Sequence, residues 1–97
     1  MKAIFISCNQ ALYDEVQQHL EKFGARGYTA WEELMGCGTA TGEPHHGSTT
    51  WPTLNSAILS FVEDEQCDPL LSSLKQLDEA NPQLGLRAFW WVVGGTF

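Results

Sequence analysis

Residues 84–93 read LGLRAFWWVV. The run is short, rich in aromatic and β-branched residues, and bounded by Asn81-Pro82 before it and Gly94-Gly95 after it. These are the marks of a β-strand. Side chains alternate across a strand. Leu84, Leu86, Ala88, Trp90 and Val92 therefore share one face, and Phe89, Trp91 and Val93 share the other. Both faces are apolar. Residues 54–63, LNSAILSFVE, behave alike, with Ala57, Leu59 and Phe61 on one side and Ile58 and Val62 on the other. An antiparallel sheet with one solvated face alternates polar and apolar residues, and these two strands do not.

Between and before them lie two helices and two further strands. Residues 2–8, KAIFISC, read as the first strand. Asn9 supplies a capping oxygen just ahead of a helical pattern. Leu12, Val16, Leu20 and Phe23 fall on one face of that helix, and Asp14, Glu15, Gln17, Gln18 and Glu21 on the other. Asp14 and Glu15 suit its positive end, Lys22 its negative end, and Gly24 the position just past its C-terminus. Residues 27–35, GYTAWEELM, read as a second strand, with Tyr28, Ala30, Glu32 and Leu34 pointing one way and Thr29, Trp31, Glu33 and Met35 the other. Residues 36–53 keep neither a helical nor a strand period and contain Gly36, Gly38, Gly42, Gly47, Pro44 and Pro52, so they read as a long loop. The second helix follows the third strand. Asp64 or Asp68 can cap it, Pro69 is tolerated in its first turn, and Leu70, Leu74 and Leu77 form its buried stripe with Leu71 on the flank. Asn81-Pro82 stops it.

The order is β-α-β-loop-β-α-β. Two helices can cover one face of a four-stranded sheet. The other face would be a large apolar patch, and each aromatic ring left there forgoes about 1.5–3 kcal/mol of burial. Self-association covers it most simply. The alternative is that the long loop folds over the end of the fourth strand.

Composition narrows the function. The 97 residues make one small domain, 43% apolar and 18% charged. The net charge is −7, and the five cations, Lys2, Lys22, Arg26, Lys75 and Arg87, are scattered along the chain. Nucleic acid and anionic membrane surfaces need clustered positive charge, so neither is an expected partner. No segment approaches the ~20 apolar residues of a membrane span, and no signal-peptide pattern is seen. Three cysteines without CxxC spacing point to a reducing cytoplasm rather than a disulfide framework. Cys8 and Cys67 are expected to be small buried hydrophobes, and His19 to be exposed at the edge of the first helix.

The order and the loop position resemble the PII-like signalling proteins, which are ferredoxin-like βαββαβ trimers related in fold to the trimeric CutA-type proteins. Residues 23–42, FGARGYTAWEELMGCGTATG, are similar to that family's second strand and the base of its T-loop: Gly27-x-Thr29, an acidic strand, then Gly36, Gly38 and Gly42. Gly47 resembles a further glycine before the third strand. Residues 62–74, VEDEQCDPLLSSL, are similar to its acidic link into the second helix. The resemblance implies an α+β fold with two helices on one face of the sheet, a homotrimer, and a regulatory protein rather than an enzyme. It implies a small ligand at the subunit cleft and T-loop-like segment 36–53, with Gly36, Cys37, Gly38, Gly42, Trp51 and Arg87 as candidate contacts. It also admits a protein target, a membrane transporter among them.

Two departures stand out. Standard members bind ATP or ADP on a Gly-rich turn with lysine between the second helix and fourth strand. Here residues 79–89 read EANPQLGLRAF, with one glycine and Arg87 as the only cation. A phosphate nest needs several free backbone N–H groups and the turns that glycine permits, so this turn points away from ATP. Residues 36–53 also lack the tyrosine that standard T-loops carry for modification.

Cys37, Glu43, His45 and His46 lie within ten residues. Thiolate, imidazole and carboxylate together suit Zn²⁺ or copper, so Cys37, His45 and His46 are candidate metal ligands, against the alternative of a solvated polar loop. Trp51, Trp90 and Trp91 could line a pocket or serve as core and interface residues. Ser48, Thr49 and Thr50 near His46 offer a nucleophile and a base but no third orienting group, so no hydrolase is expected.

Overall fold

The computed structural model describes residues 1–25, 27–36 and 53–97. The elements run β1 (Lys2–Asn9), a 3-10 turn (Gln10–Leu12), α1 (Tyr13–Lys22), β2 (Tyr28–Gly36), β3 (Thr53–Val62), α2 (Asp64–Ala80), a second 3-10 turn (Pro82–Leu84) and β4 (Arg87–Val92). The four strands form one sheet in the order β2-β3-β1-β4, with antiparallel neighbours. Each helix therefore links two strands that flank a third. Such split crossovers take one hand, which brings both helices to the same face. The fold is the expected ferredoxin-like α+β arrangement.

The core lies between that face and the helices. Ile4, Ile6 and Cys8 of β1 and Ile58 and Val62 of β3 meet Leu12, Val16 and Leu20 from the first helical segment and Cys67, Leu70, Leu74 and Leu77 from α2. The helix ends follow local chemistry. Asn9 Oδ1 accepts from Ala11 N at 2.9 Å and caps the 3-10 turn. Gly24, at φ +78°, ends α1 in a left-handed conformation. Ala25 N donates to Leu20 O at 2.8 Å and Gly24 N to Glu21 O at 3.1 Å, which satisfies two orphan carbonyls.

Four local readings change. α2 is capped by Glu63, not Asp64 or Asp68, and Glu63 N donates to Gln66 Oε1 at 2.9 Å. Pro69 sits in the second turn, not the first, and removes the N–H that would bond to Glu65 O. β4 begins at Arg87; Leu84 belongs to a 3-10 turn, because Gly85 turns the chain through φ +63° before the ladder starts. His19 is half-buried and hydrogen-bonded through Nδ1 to Ser73 Oγ, tying α1 to α2.

The fourth concerns β2. Trp31 pairs with Ala57, but Leu34 pairs with Asn55, so one extra residue bulges from the strand. The bulge puts Leu34 on the Trp31 side of the sheet and Met35 on the Tyr28–Ala30 side, reversing the simple alternation. Ser56 Oγ donates to the Glu32 carbonyl at 2.6 Å and Gln10 Nε2 donates to it at 3.3 Å. These bonds account for a fully buried serine, and they hold the bulge in place.

Among the described residues, no helix or strand covers the second face of the sheet. Its rows run Trp91–Ala3–Phe61, Phe89–Phe5–Leu59–Thr29 and Arg87–Ser7–Ala57–Trp31. Ala3 and Ala57 are hidden beneath their large neighbours, while Phe61, Phe89 and Trp91 are each about half exposed. This is the apolar face expected from the strand patterns.

Candidate functional site

Of the predicted ligand residues, the two that are described, Gly36 and Arg87, lie on opposite edges of the sheet. Gly36 closes β2 and pairs with Thr53. A Cβ there would collide with the end of the Asn55 side chain, which would have to move aside to admit one. Arg87 opens β4 on the opposite edge, where it pairs with Ser7. Three strand spacings separate the two edges, about 14 Å. Both residues lie toward the same end of the sheet. One chain therefore does not bring Gly36 and Arg87 into one pocket. Cys37, Gly38, Gly42, His45, His46 and Trp51 lie outside the described residues, as do Ser48, Thr49 and Thr50. Among the described residues, no cluster of three or more His, Cys, Asp or Glu is placed to hold a metal.

At the Arg87 edge the structure forms a groove between α2 and β4, about 690 Å³ in volume. Leu71, Leu74, Leu86 and Ala88 supply its apolar lining, and Trp90 forms part of the wall. Lys75, Arg87, Asp68, Asp78 and Ser72 supply the polar groups. The turn before β4 sets this geometry. Asn81 Nδ2 donates to Leu77 O at 3.0 Å and stops the helix, then Gly85 redirects the chain so that Leu86 is buried and Arg87 emerges. Arg87 Nη1 lies 3.6 Å from Asp78 Oδ1 and donates to Leu86 O at 2.6 Å. The guanidinium is thus steered along the turn toward α2.

Trp90 and Trp91 separate. Trp90 lines the groove on the helix side, and Trp91 lies on the bare face. Lys75 and Asp78 carried no site assignment in the sequence. Their signal was present: Leu71, Lys75 and Asp78 repeat at spacings of four and three, one stripe beside the buried Leu70, Leu74 and Leu77.

The cysteines of the core are not part of a reactive site. Cys8 and Cys67 are free and buried, as expected. Burial pushes the Cys8 thiol up to about 11 and raises that of Cys67 also. Both therefore stay protonated near neutrality and are poor nucleophiles or metal ligands.

A ferredoxin-like sheet with two helices on one face, and an intervening segment between its second and third strands, is the architecture of the PII-like signalling proteins. The chain belongs to this family: the model for nitrogen regulatory protein P-II matches residues 1–90. Its fold is similar to that of CPII, a nitrogen regulatory PII-like protein from Thiomonas intermedia K12. Bound to ADP, AMP and bicarbonate, CPII aligns with a TM-score of 0.69 at 24% identity, over 99% of this chain and 94% of that one. Bound to ADP and bicarbonate, it aligns with a TM-score of 0.64 at 26% identity, over 97% and 88%. A PII-like signalling protein from Thermus thermophilus aligns with a TM-score of 0.64 at 24% identity, over 95% and 88%. No curated protein sequence matches the chain significantly. No described helix is long and apolar enough to cross a membrane.

Proposed function

We propose that this chain is the subunit of a homotrimeric PII-like sensor. Its ligand is a small anion, an adenine nucleotide or bicarbonate, bound in the cleft between subunits, and segment 36–53 is the element that responds. The observation that carries this reading is the division of Gly36 and Arg87 between opposite edges of one sheet. A neighbouring copy, packed through the bare aromatic face, would set the β2 edge of one subunit beside the β4 edge of the next. The binding of ADP and bicarbonate by CPII supports that choice of ligand. The turn at residues 81–86 has a single glycine, Gly85, so few backbone N–H groups are free to hold a long phosphate chain. ADP and AMP are accordingly favoured over ATP, which sets this chain apart from a standard ATP-binding nitrogen regulator. A sensor of this kind acts in the cytoplasm on a protein target, for which a membrane transporter is one candidate.

Isothermal titration of the purified protein with ADP, AMP, ATP and bicarbonate tests the reading. Saturable binding of ADP, AMP or bicarbonate, weakened about tenfold or more by Arg87→Ala, is expected, since a charge-assisted contact to the anion is lost. Absence of binding by all four would sink it.

A second reading rests on the ten-residue spacing of Cys37, His45 and His46, which suits Zn²⁺ or copper. Replacing all three with alanine should abolish binding of Zn²⁺ or Cu²⁺. Unchanged affinity in the triple variant removes those residues from the account.

A further inference from the structure

We propose that the helix-side face of the β2–β3 stem, at Met35 and Leu54, is a docking surface for a basic amphipathic segment of a partner protein. This rests on the reading above that the protein acts on a protein target, and it adds the surface and the chemistry of that target.

The stem is where the sheet runs out of cover. β1 ends at Asn9, opposite Asn55, so residues 35–36 and 53–54 continue as two strands alone. Met35 and Leu54 pair across this stem, on the side of the sheet that bears the helices. They are 77% and 52% exposed. Neither belongs to the buried core or to the residues packed against it. Self-association through Phe61, Phe89 and Trp91 uses the opposite face, so it does not bury this pair.

The bulge supplies the charge. Glu32 and Glu33 both stand opposite the single residue Ser56, so two carboxylates occupy one step of the ladder beside the stem. Burial, Tyr28, Glu32 and Asp14 together raise the Tyr13 hydroxyl above its usual value, which sets Glu32 and Asp14 around one ring on the helix side. The bonds from Ser56 and Gln10 to the Glu32 carbonyl hold the arrangement. The two salt bridges among the described residues, Met1 with Asp64 and Arg87 with Asp78, engage none of the three carboxylates. Lys75 and Arg87 line the groove at the other edge of the sheet. An apolar pair rimmed by carboxylates fits a segment that presents leucine-type side chains with lysine or arginine beside them. An anionic lipid surface is repelled by the same charge. Strand addition does not compete here, because the bulge breaks the ladder that an added strand would extend.

The test is fluorescence anisotropy with a leucine–lysine peptide of helical period and with its leucine–glutamate counterpart. Wild type should bind the first saturably and not the second. Met35→Thr combined with Leu54→Thr should weaken binding about tenfold or more. Glu32→Gln combined with Glu33→Gln should weaken it about fivefold. Glu21→Gln combined with Glu65→Gln removes the same charge at exposed positions away from the stem and should leave affinity as in wild type. Sedimentation, melting and titration with ADP and bicarbonate accompany each stem variant, and all should match wild type. Equal weakening by the Glu21 and Glu65 changes shows attraction to net charge alone and overturns the assignment. Lost assembly or a lowered melting temperature in the Met35 and Leu54 variant shows that a second copy or the chain itself covers the pair, and overturns it as well. Peptide binding that the stem variants leave unchanged overturns the assignment, while ADP or bicarbonate binding by wild type keeps the sensor reading. Absence of ligand binding by wild type overturns the sensor reading and is read separately from the peptide result.

Discussion

Cys8 ionises far less readily in the folded protein than in the open chain. Burial moves its thiol from 9.0 to about 11, so the folded state keeps a proton that the unfolded state releases first. Stability from this group is full below pH 9 and is lost as pH rises from 9 to about 11. Cys67 acts with the same sign. Chemical denaturation across that range should show Cys8→Ala losing less stability with rising pH than wild type; an equal slope would remove Cys8 as the cause. Gly24 carries a different constraint. An alanine there would adopt φ +78°, at a cost of about 1–2 kcal/mol. Its Cβ would also lie 2.8 Å from Gln66 Nε2, the group that donates to Gly24 O. Urea unfolding of Gly24→Ala should therefore show a loss of at least that size. The glycine was legible from the end of the helical pattern. The contact with Gln66 was not, because the two residues are 42 apart in the chain.

Among the elements, those whose signals are local were read closely. Asn9 is the cap that the sequence suggests, and Asn9→Ala should cost about 1 kcal/mol, seen as a lowered midpoint in urea unfolding. α2 was found but misplaced at its start. Asp64, Asp68 and Pro69 all suit a first turn, and what decides between them is the reciprocal bonding of Glu63 with Gln66. The bulge in β2 left no mark in the period of residues 27–35. It arises because Ser56 and Gln10, from other parts of the chain, satisfy the Glu32 carbonyl that would otherwise be an unpaired polar group. A pattern of alternation cannot register a residue that tertiary donors pull out of step.

For the whole molecule, the bare face makes the strongest demand. Phe61, Phe89 and Trp91, each about half exposed, form a patch around Ala3 that no described helix covers. Analytical ultracentrifugation should give the mass of three 10.8 kDa chains. Trp91→Glu, which places a charge among these rings, should shift the population to monomer. A wild-type monomer would refute the assembly, and an intact trimer in the variant would place the contact elsewhere.

The sequence alone determined the element order, the core face of each helix and the apolar character of both sheet faces. Each of these is written in side-chain periodicity, which is a property of neighbours in the chain. Through resemblance it also indicated the family. The tertiary structure decided that Gly36 and Arg87 stand on opposite edges, that Trp90 and Trp91 serve opposite faces, and that Lys75 and Arg87 meet at one groove. Those facts depend on strand order and on the turn at Gly85. Two right-handed crossovers interleave β2 and β4 around β1 and β3, and no local pattern encodes which edge a strand will occupy.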